Sequence, residues 1–244
     1  MMEKLSTEQQ KKFDDISANY ELITRNIALA AEESGRKPSD ITLLAATKTV
    51  EPVFINHAIS LGLRAIGENK VQELLSKYDE YDLKNTELHF IGHLQTNKVR
   101  QLVGKVSMIQ SVDSIKLAGE ISRRSEQNGI VTDILLEVNI GREENKSGVL
   151  PEELDRLLEE TSSLSCVKVR GLMSVPPICE TKTEISKYFD EMYKIFVDIS
   201  SKKLDNISMD FLSMGMSEDY KEAIQSGANM VRVGSALFGA RIYR

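Results

Sequence analysis

ITLLAATK, residues 41–48, is the stretch that decides the fold. Seven residues that are apolar but for Thr42 and Thr47 run straight into Lys48. Continuous rather than alternating apolarity marks a strand covered on both faces, as parallel strands are. The same kind of run recurs along the chain: LRAIG (63–67), LHFIG (87–91), VSMIQSV (106–112), DILLEVN (133–139), VKVRGLM (167–173), ISMDFLS (207–213) and MVRVG (230–234). With ITLLAAT (41–47) they make eight strand candidates. Helical stretches separate them. Pro52 sits where a first helical turn should start and Gly62 where that helix should stop. Val71, Leu74, Leu75 and Tyr78 form an apolar stripe, and Ile185, Phe189, Met192, Phe196 and Ile199 form another. Thr96, Asp113 and Ser217 are candidate N-caps. Eight strands alternating with helices in 244 residues predict an α/β protein of the (β/α)8 TIM-barrel type. An open doubly wound sheet is the alternative, but no GxGxxG follows the first strand. Upstream, Ser6 and Gln9 make a capping-box pattern. Phe13, Ile16, Tyr20, Ile23 and Ile27 then mark one face of an extra helix over about 6–34, closed by Gly35 and Pro38.

No linker, low-complexity run or repeat interrupts this rhythm, so one domain over 1–244 is expected. With 31 basic and 37 acidic residues the formal charge is −6, which argues against a general nucleic-acid binder. No apolar run reaches the roughly 20 residues of a membrane helix. The opening MMEKLSTEQQKKF is polar and does not read as a secretory signal, so a cytoplasmic protein is expected. Cys166 and Cys179 form no disulfide framework, and no Cys/His spacing suits zinc.

In a barrel the chemistry sits at the C-terminal ends of the strands. The polar residues there are Lys48, Glu68, Asn69, His93, Gln95, Asp113, Asn139, Ser213, Arg232, Gly234 and Ser235, with the polar loop GREENKSG (141–148) on the same face. Lys48 ends an apolar strand, and partial desolvation would favour its neutral amine, the nucleophile for a Schiff base. Taken alone, a lysine that snorkels to water accounts for the position equally well. The loops after strands seven and eight commonly bind phosphate in barrels. Here they read SMGMS (213–217) and GSALFG (234–239), each with a small hydroxyl residue beside glycine. Gly234 and Ser235 would open a short helix whose positive end favours an anion. Arg232, two residues before Gly234, shares its face of the strand and could reach a pyridine nitrogen. It could also pair with a buried Asp210 or Glu137. Lysine, phosphate loops and arginine together describe a site for pyridoxal 5′-phosphate (PLP).

The chain resembles the PLP homeostasis proteins, a family of alanine-racemase-like barrels. The blocks that carry the resemblance are LLAATKT around Lys48, GENKVQELLSK (67–77), HFIGHLQTNK (89–98), SVDS (111–114), NKSG (145–148), GLMSV (171–175), LSMGMSEDY (212–220) and VRVGSALFGAR (231–241). The resemblance implies a barrel of the alanine racemase N-terminal type. It implies that Lys48 holds the cofactor as a Schiff base and that Asn69 lies beside the ring. Ser213, the Met214 backbone, Gly234 and Ser235 would hold the phosphate, and Arg232 would face the ring nitrogen. His89, Phe90 and His93 would shape the pocket. The family's second lysine, two residues after the first, is replaced here by Val50. Lys146 is an alternative acceptor for the aldehyde.

An arginine cannot accept a ring N–H proton, so the pyridine would be neutral and a weak electron sink. The related racemases add a tyrosine across a dimer and a second β domain, for which this chain has no counterpart after Gly234. The expected function is therefore intracellular PLP (vitamin B6) homeostasis without evident turnover, by a monomer, with PLP-dependent apo-enzymes as recipients. The alternatives are a PLP-dependent amino-acid racemase, a Schiff-base aldolase acting on a sugar phosphate, and a cofactor-free scaffold.

Overall fold

The computed structural model describes residues 6–202 and 204–239. Eight strands close into a parallel barrel in simple sequence order. They are β1 (Thr42–Ala46), β2 (Ala65–Glu68), β3 (Glu87–Phe90), β4 (Met108–Val112), β5 (Thr132–Val138), β6 (Val167–Ser174), β7 (Ile207–Ser213) and β8 (Met230–Val233). All eight expected runs are strands, because each is buried against the barrel interior on one side and against helices on the other. Closure is made by β1 on β8, in register from Thr42↔Met230 to Ala45↔Val233. Irregularities in register fall between β4 and β5, β5 and β6, and β6 and β7. At the last of these Gly171 has φ 146°.

The helices are α1 (Thr7–Glu33), α2 (Pro52–Ser60), α3 (Val71–Lys77), α4 (Ile115–Gln127), α5 (Leu154–Ser162), α6 (Lys182–Ser201), α7 (Tyr220–Gln225) and α8 (Ser235–Phe238). The crossover after β3 is a 3-10 helix, Thr96–Gln101, rather than an α-helix. Three expected caps shift. Gln95 precedes Thr96, Ser114 rather than Asp113 caps α4, and Asp219 rather than Ser217 precedes α7. The capping box of Ser6 and Gln9 is present in both directions.

The main apolar core lies between strands and helices and includes Phe54, Leu74, Ile121, Leu158 and Phe189. Two smaller clusters fill the barrel itself: Leu44, Ala65 and Met230, and Met108, Leu135 and Met173, with Phe211 touching both. Helix α1 contributes Ile16, Ile23 and Ile27 to the outer core. It also spans the last units of the barrel. Asn26 donates to the Tyr220 hydroxyl at 3.1 Å and Asn19 to the Leu237 carbonyl at 3.1 Å. The extra helix thus braces the last units of the barrel.

Candidate functional site

The residues on either side of Lys48 are fixed from several directions. Thr47 donates through its hydroxyl to Glu68 Oε1 at 2.8 Å, and its N–H reaches the Gly67 carbonyl at 2.9 Å. Lys77 Nζ, arriving from α3, donates to the Thr47 carbonyl at 3.2 Å and to Glu68 at 3.1 Å. Thr49 holds φ 65°, an unfavourable region for a β-branched residue, and its N–H is taken by Glu73. Glu68 is fully buried and also accepts from the Tyr81 hydroxyl at 2.8 Å. Its own burial, with the Glu68 carboxylate beside it, holds the Tyr81 phenol well above the usual tyrosine range. The block GENKVQELLSK therefore builds the socket from which Lys48 projects. Glu73 and Lys77 were not among the residues singled out from sequence. The signal for them is their i,i+4 spacing, which places both on one face of α3.

Arg232 is the second anchor. Its guanidinium is buried, donating from Nη1 to the Ser213 carbonyl and hydroxyl, each at 2.7 Å, and from Nη2 to the Ser174 carbonyl at 2.8 Å. Burial pulls its pKa down to about 10, partly offset by the charges of Glu137 and Asp219. It remains cationic at neutral pH. Asp210 is not its partner, being paired with Arg170 at the opposite mouth of the barrel. Glu137 faces it electrostatically. Burial first, and Asp113 second, push the Glu137 carboxyl up to about 7.

The loop after β7 turns sharply at Gly215, where φ is 90° and an added Cβ would meet the Ala223 Cβ at 2.5 Å. Only glycine fits there. The turn carries Ser217 onto the end of β8, where its hydroxyl accepts from the N–H groups of Gly234 and Ala236, each at 3.2 Å. A Cβ at Gly234 would sit 3.2 Å from the Ala46 carbonyl, so β1 and β8 approach closely beneath this point.

These pieces surround one cleft of about 800 Å³ at the C-terminal face of the barrel. Lys48, Val50, Arg232, Gly234, Ser235 and Ser217 all line it. Ser213 and Met214 do not. Ser213 is fully buried with its hydroxyl donating to Gln110 Oε1 at 2.7 Å, and Met214 is fully buried with its N–H bonded to the Met230 carbonyl at 3.1 Å. Their polar groups are thus committed inside the barrel wall. The hydroxyl that meets the loop amides is Ser217, read from sequence as a helix cap at the end of the SMGMS loop. Asn69 is half-buried and outside the cleft lining, and its Oδ1 is buried without a hydrogen-bond partner. His89 and Phe90 are buried away from the cleft, and exposed His93 meets Ser147 at 3.2 Å. Lys146 donates to the Pro176 carbonyl at 3.2 Å and pairs with Glu143, outside the cleft lining. Cys179, a free thiol, lines the cleft, whereas Cys166 does not.

Residues 19–242 match the family described as alanine racemase, N-terminal domain. Over 221 residues the chain is 45% identical to the pyridoxal phosphate homeostasis protein of Aquifex aeolicus (strain VF5), covering 91% of this chain and 96% of that one. The chain belongs to the family of pyridoxal phosphate homeostasis proteins. A crystal structure of an unknown protein from Bifidobacterium adolescentis superposes with a TM-score of 0.89 at 34% identity, covering 96% of this chain and 98% of that one. The structure of PipY from Synechococcus elongatus PCC7942 with PLP bound gives 0.76 at 32% identity, over 87% of this chain and all of PipY (100%). The family match and the closed eight-stranded barrel give the alanine-racemase type of TIM barrel expected from the sequence. Among the described residues no helix is long and apolar enough to cross a membrane.

Proposed function

We propose that this protein binds PLP in the cleft at the C-terminal face and serves its homeostasis, holding it covalently and reversibly through Lys48 without turnover of its own. The observation that carries the reading is convergence. An amine at the end of β1, a cation on β8 and Ser217, whose hydroxyl accepts from two loop amides, line a single cleft. Relatives named for PLP homeostasis, and PipY with PLP bound, supply the identity of the ligand.

The residues present fit the group. Gly234 and Ala236 offer their N–H groups, and Ser217 and Ser235 their hydroxyls, to the phosphate. Ser217 holds those amides at 3.2 Å, a spacing that an oxyanion can take over. Arg232 would donate an N–H to the ring nitrogen and, being unable to accept a proton, would keep that nitrogen unprotonated. The unpartnered Oδ1 of Asn69 would offer a further acceptor. When bound, the cofactor supplies an electrophilic aldehyde, and an unprotonated ring makes it a poor electron sink. Lys48 supplies the amine, positioned by Thr47, Glu73 and Lys77. In this reading the protein acts as a cytoplasmic monomer that buffers PLP for apo-enzymes.

The test is a paired assay on PLP-loaded protein. One arm follows α-proton exchange of a panel of L-amino acids in heavy water by NMR. The other follows transfer of PLP to an apo-transaminase by recovery of that enzyme's activity. Transfer without exchange is the expected result. Exchange at a catalytic rate would move the protein to the racemases.

A further inference from the structure

The barrel interior carries a file of polar side chains that meets the cleft only at its upper end. Arg232 Nη1 donates to Ser213 Oγ at 2.7 Å, and Ser213 Oγ donates to Gln110 Oε1 at 2.7 Å. Gln110 Nε2 lies 2.8 Å from His89 Nδ1, and His89 Nε2 lies 3.0 Å from Glu87 Oε2. These residues sit on β8, β7, β4 and β3 and cross the barrel from the cleft to its N-terminal mouth. Ser213, Gln110 and His89 are fully buried, while the Glu87 side chain is 63% exposed.

The direction of every bond in this file is forced. A guanidinium only donates, so Ser213 must accept from Arg232 and spend its own proton on Gln110. Gln110 Nε2 also lies 3.1 Å from the Met230 sulfur, which only accepts, so the amide nitrogen is the end that faces Met230 and His89. His89 Nδ1 must then accept, and its single proton sits on Nε2, aimed at Glu87. The file therefore runs one way, donor to acceptor, from Arg232 down to an exposed carboxylate. Glu87 lies in turn within the field of Arg170, which pairs with Asp133 and Asp210.

We propose that Ser213, Gln110 and His89 are positioning residues that orient the Arg232 guanidinium toward the ligand's ring nitrogen, with Glu87 fixing the polarity of the file from the opposite face. This rests on the PLP reading above. Each member can satisfy its neighbours in one orientation only, so a change at Glu87 or His89 is felt at Arg232 without any backbone movement. A file that merely filled space would need neither a fixed tautomer nor a continuous direction.

The experiment uses protein labelled with 15N at histidine, in which the three histidines His57, His89 and His93 are resolved by long-range 1H–15N correlation. PLP labelled with 15N in its ring is then added. In the ligand-free protein His89 is expected to be neutral, protonated on Nε2 and bare on Nδ1. A proton on Nδ1 would overturn the proposal, whether or not PLP binds. On loading, the His89 ring signals are expected to shift. Ser213→Ala and Gln110→Leu should abolish that shift and displace the ring-nitrogen signal of bound PLP from its wild-type position. Gln110→Glu keeps an acceptor for Ser213 but draws a proton onto His89 Nδ1 and so reverses that bond; it should show both imidazole nitrogens protonated and a ring-nitrogen signal displaced from its wild-type position. Ser213→Ala removes one oxygen and serves if Gln110→Leu does not fold. A ring-nitrogen signal unchanged in folded Ser213→Ala overturns the positioning role. Absence of any bound-PLP signal in the wild type fails the PLP reading instead, and the two failures are told apart by that control.

Discussion

Replacing Glu137 by glutamine should stabilise the ligand-free protein in a way that grows with pH. Glu137 projects from β5 into the upper barrel, 8% exposed, and burial with Asp113 nearby pushes its carboxyl from 4.5 up to about 7 against the pull of Arg232. The folded state therefore binds the proton more tightly than the unfolded chain. Its stability falls as pH rises from about 4.5 through about 7 and is level beyond. At about 1.4 kcal/mol per pH unit of separation, the full loss is about 3 kcal/mol. The same linkage leaves a difference of under about 1 kcal/mol near pH 5. A glutamine side chain has similar volume and no charge to bury, so Glu137→Gln should match wild type near pH 5. Near pH 8 it should exceed wild type by about 3 kcal/mol, or roughly 6–12 °C in Tm for a chain of this size. Thermal melts of both proteins across that pH range provide the assay, with urea titrations at the two ends as a check. A pH-independent difference, or a variant weaker than wild type at pH 8, would show that Glu137 is ionised and paired in the fold, and the reasoning would fail.

Other consequences are sharper in sign than in size. Gly171→Ala places a Cβ 1.9 Å from the Phe211 carbonyl at φ 146°, so it should cost more than about 4 kcal/mol or leave no soluble protein, read by urea denaturation. Lys77→Met removes the cation shared by buried Glu68 and by Glu73. It should cost roughly 3–5 kcal/mol and slow PLP attachment, followed by absorbance on mixing. Ser217→Ala, scored by equilibrium dialysis, should weaken PLP binding by about tenfold, the worth of one charge-assisted hydrogen bond of about 1.5 kcal/mol, whereas Lys146→Ala should leave it unchanged.

The barrel was legible because its strands are apolar on both faces and punctuated by Pro52, Gly62 and the stripes of α3 and α6. The crossover after β3 was not. Thr96–Gln101 carries one buried apolar residue, Val99, too few for a periodic face, and nothing local separates a 3-10 helix from an α-helix there. Lys48, Arg232, Gly234 and Ser235 were legible as strand-end polar residues, and the cleft gathers all four. Ser213 looked equivalent, but its side chain points into the barrel, where pairing opposite Met230 fixes its facing. Ser217 comes to the Gly234 and Ala236 amides only through the turn at Gly215, a long-range contact. Gln110 and His89 were hidden in apolar runs, since a polar residue in a buried strand shows its purpose only when its neighbours across the barrel are known.

Borohydride reduction of the PLP-treated protein, followed by peptide mass mapping, tests the central claim most directly. The expected result is a visible absorbance band that bleaches on reduction, and a single added pyridoxyl phosphate mass on Lys48, with none on Lys146. A band that fails to form, or a stable mass carried by any lysine other than Lys48, would contradict it.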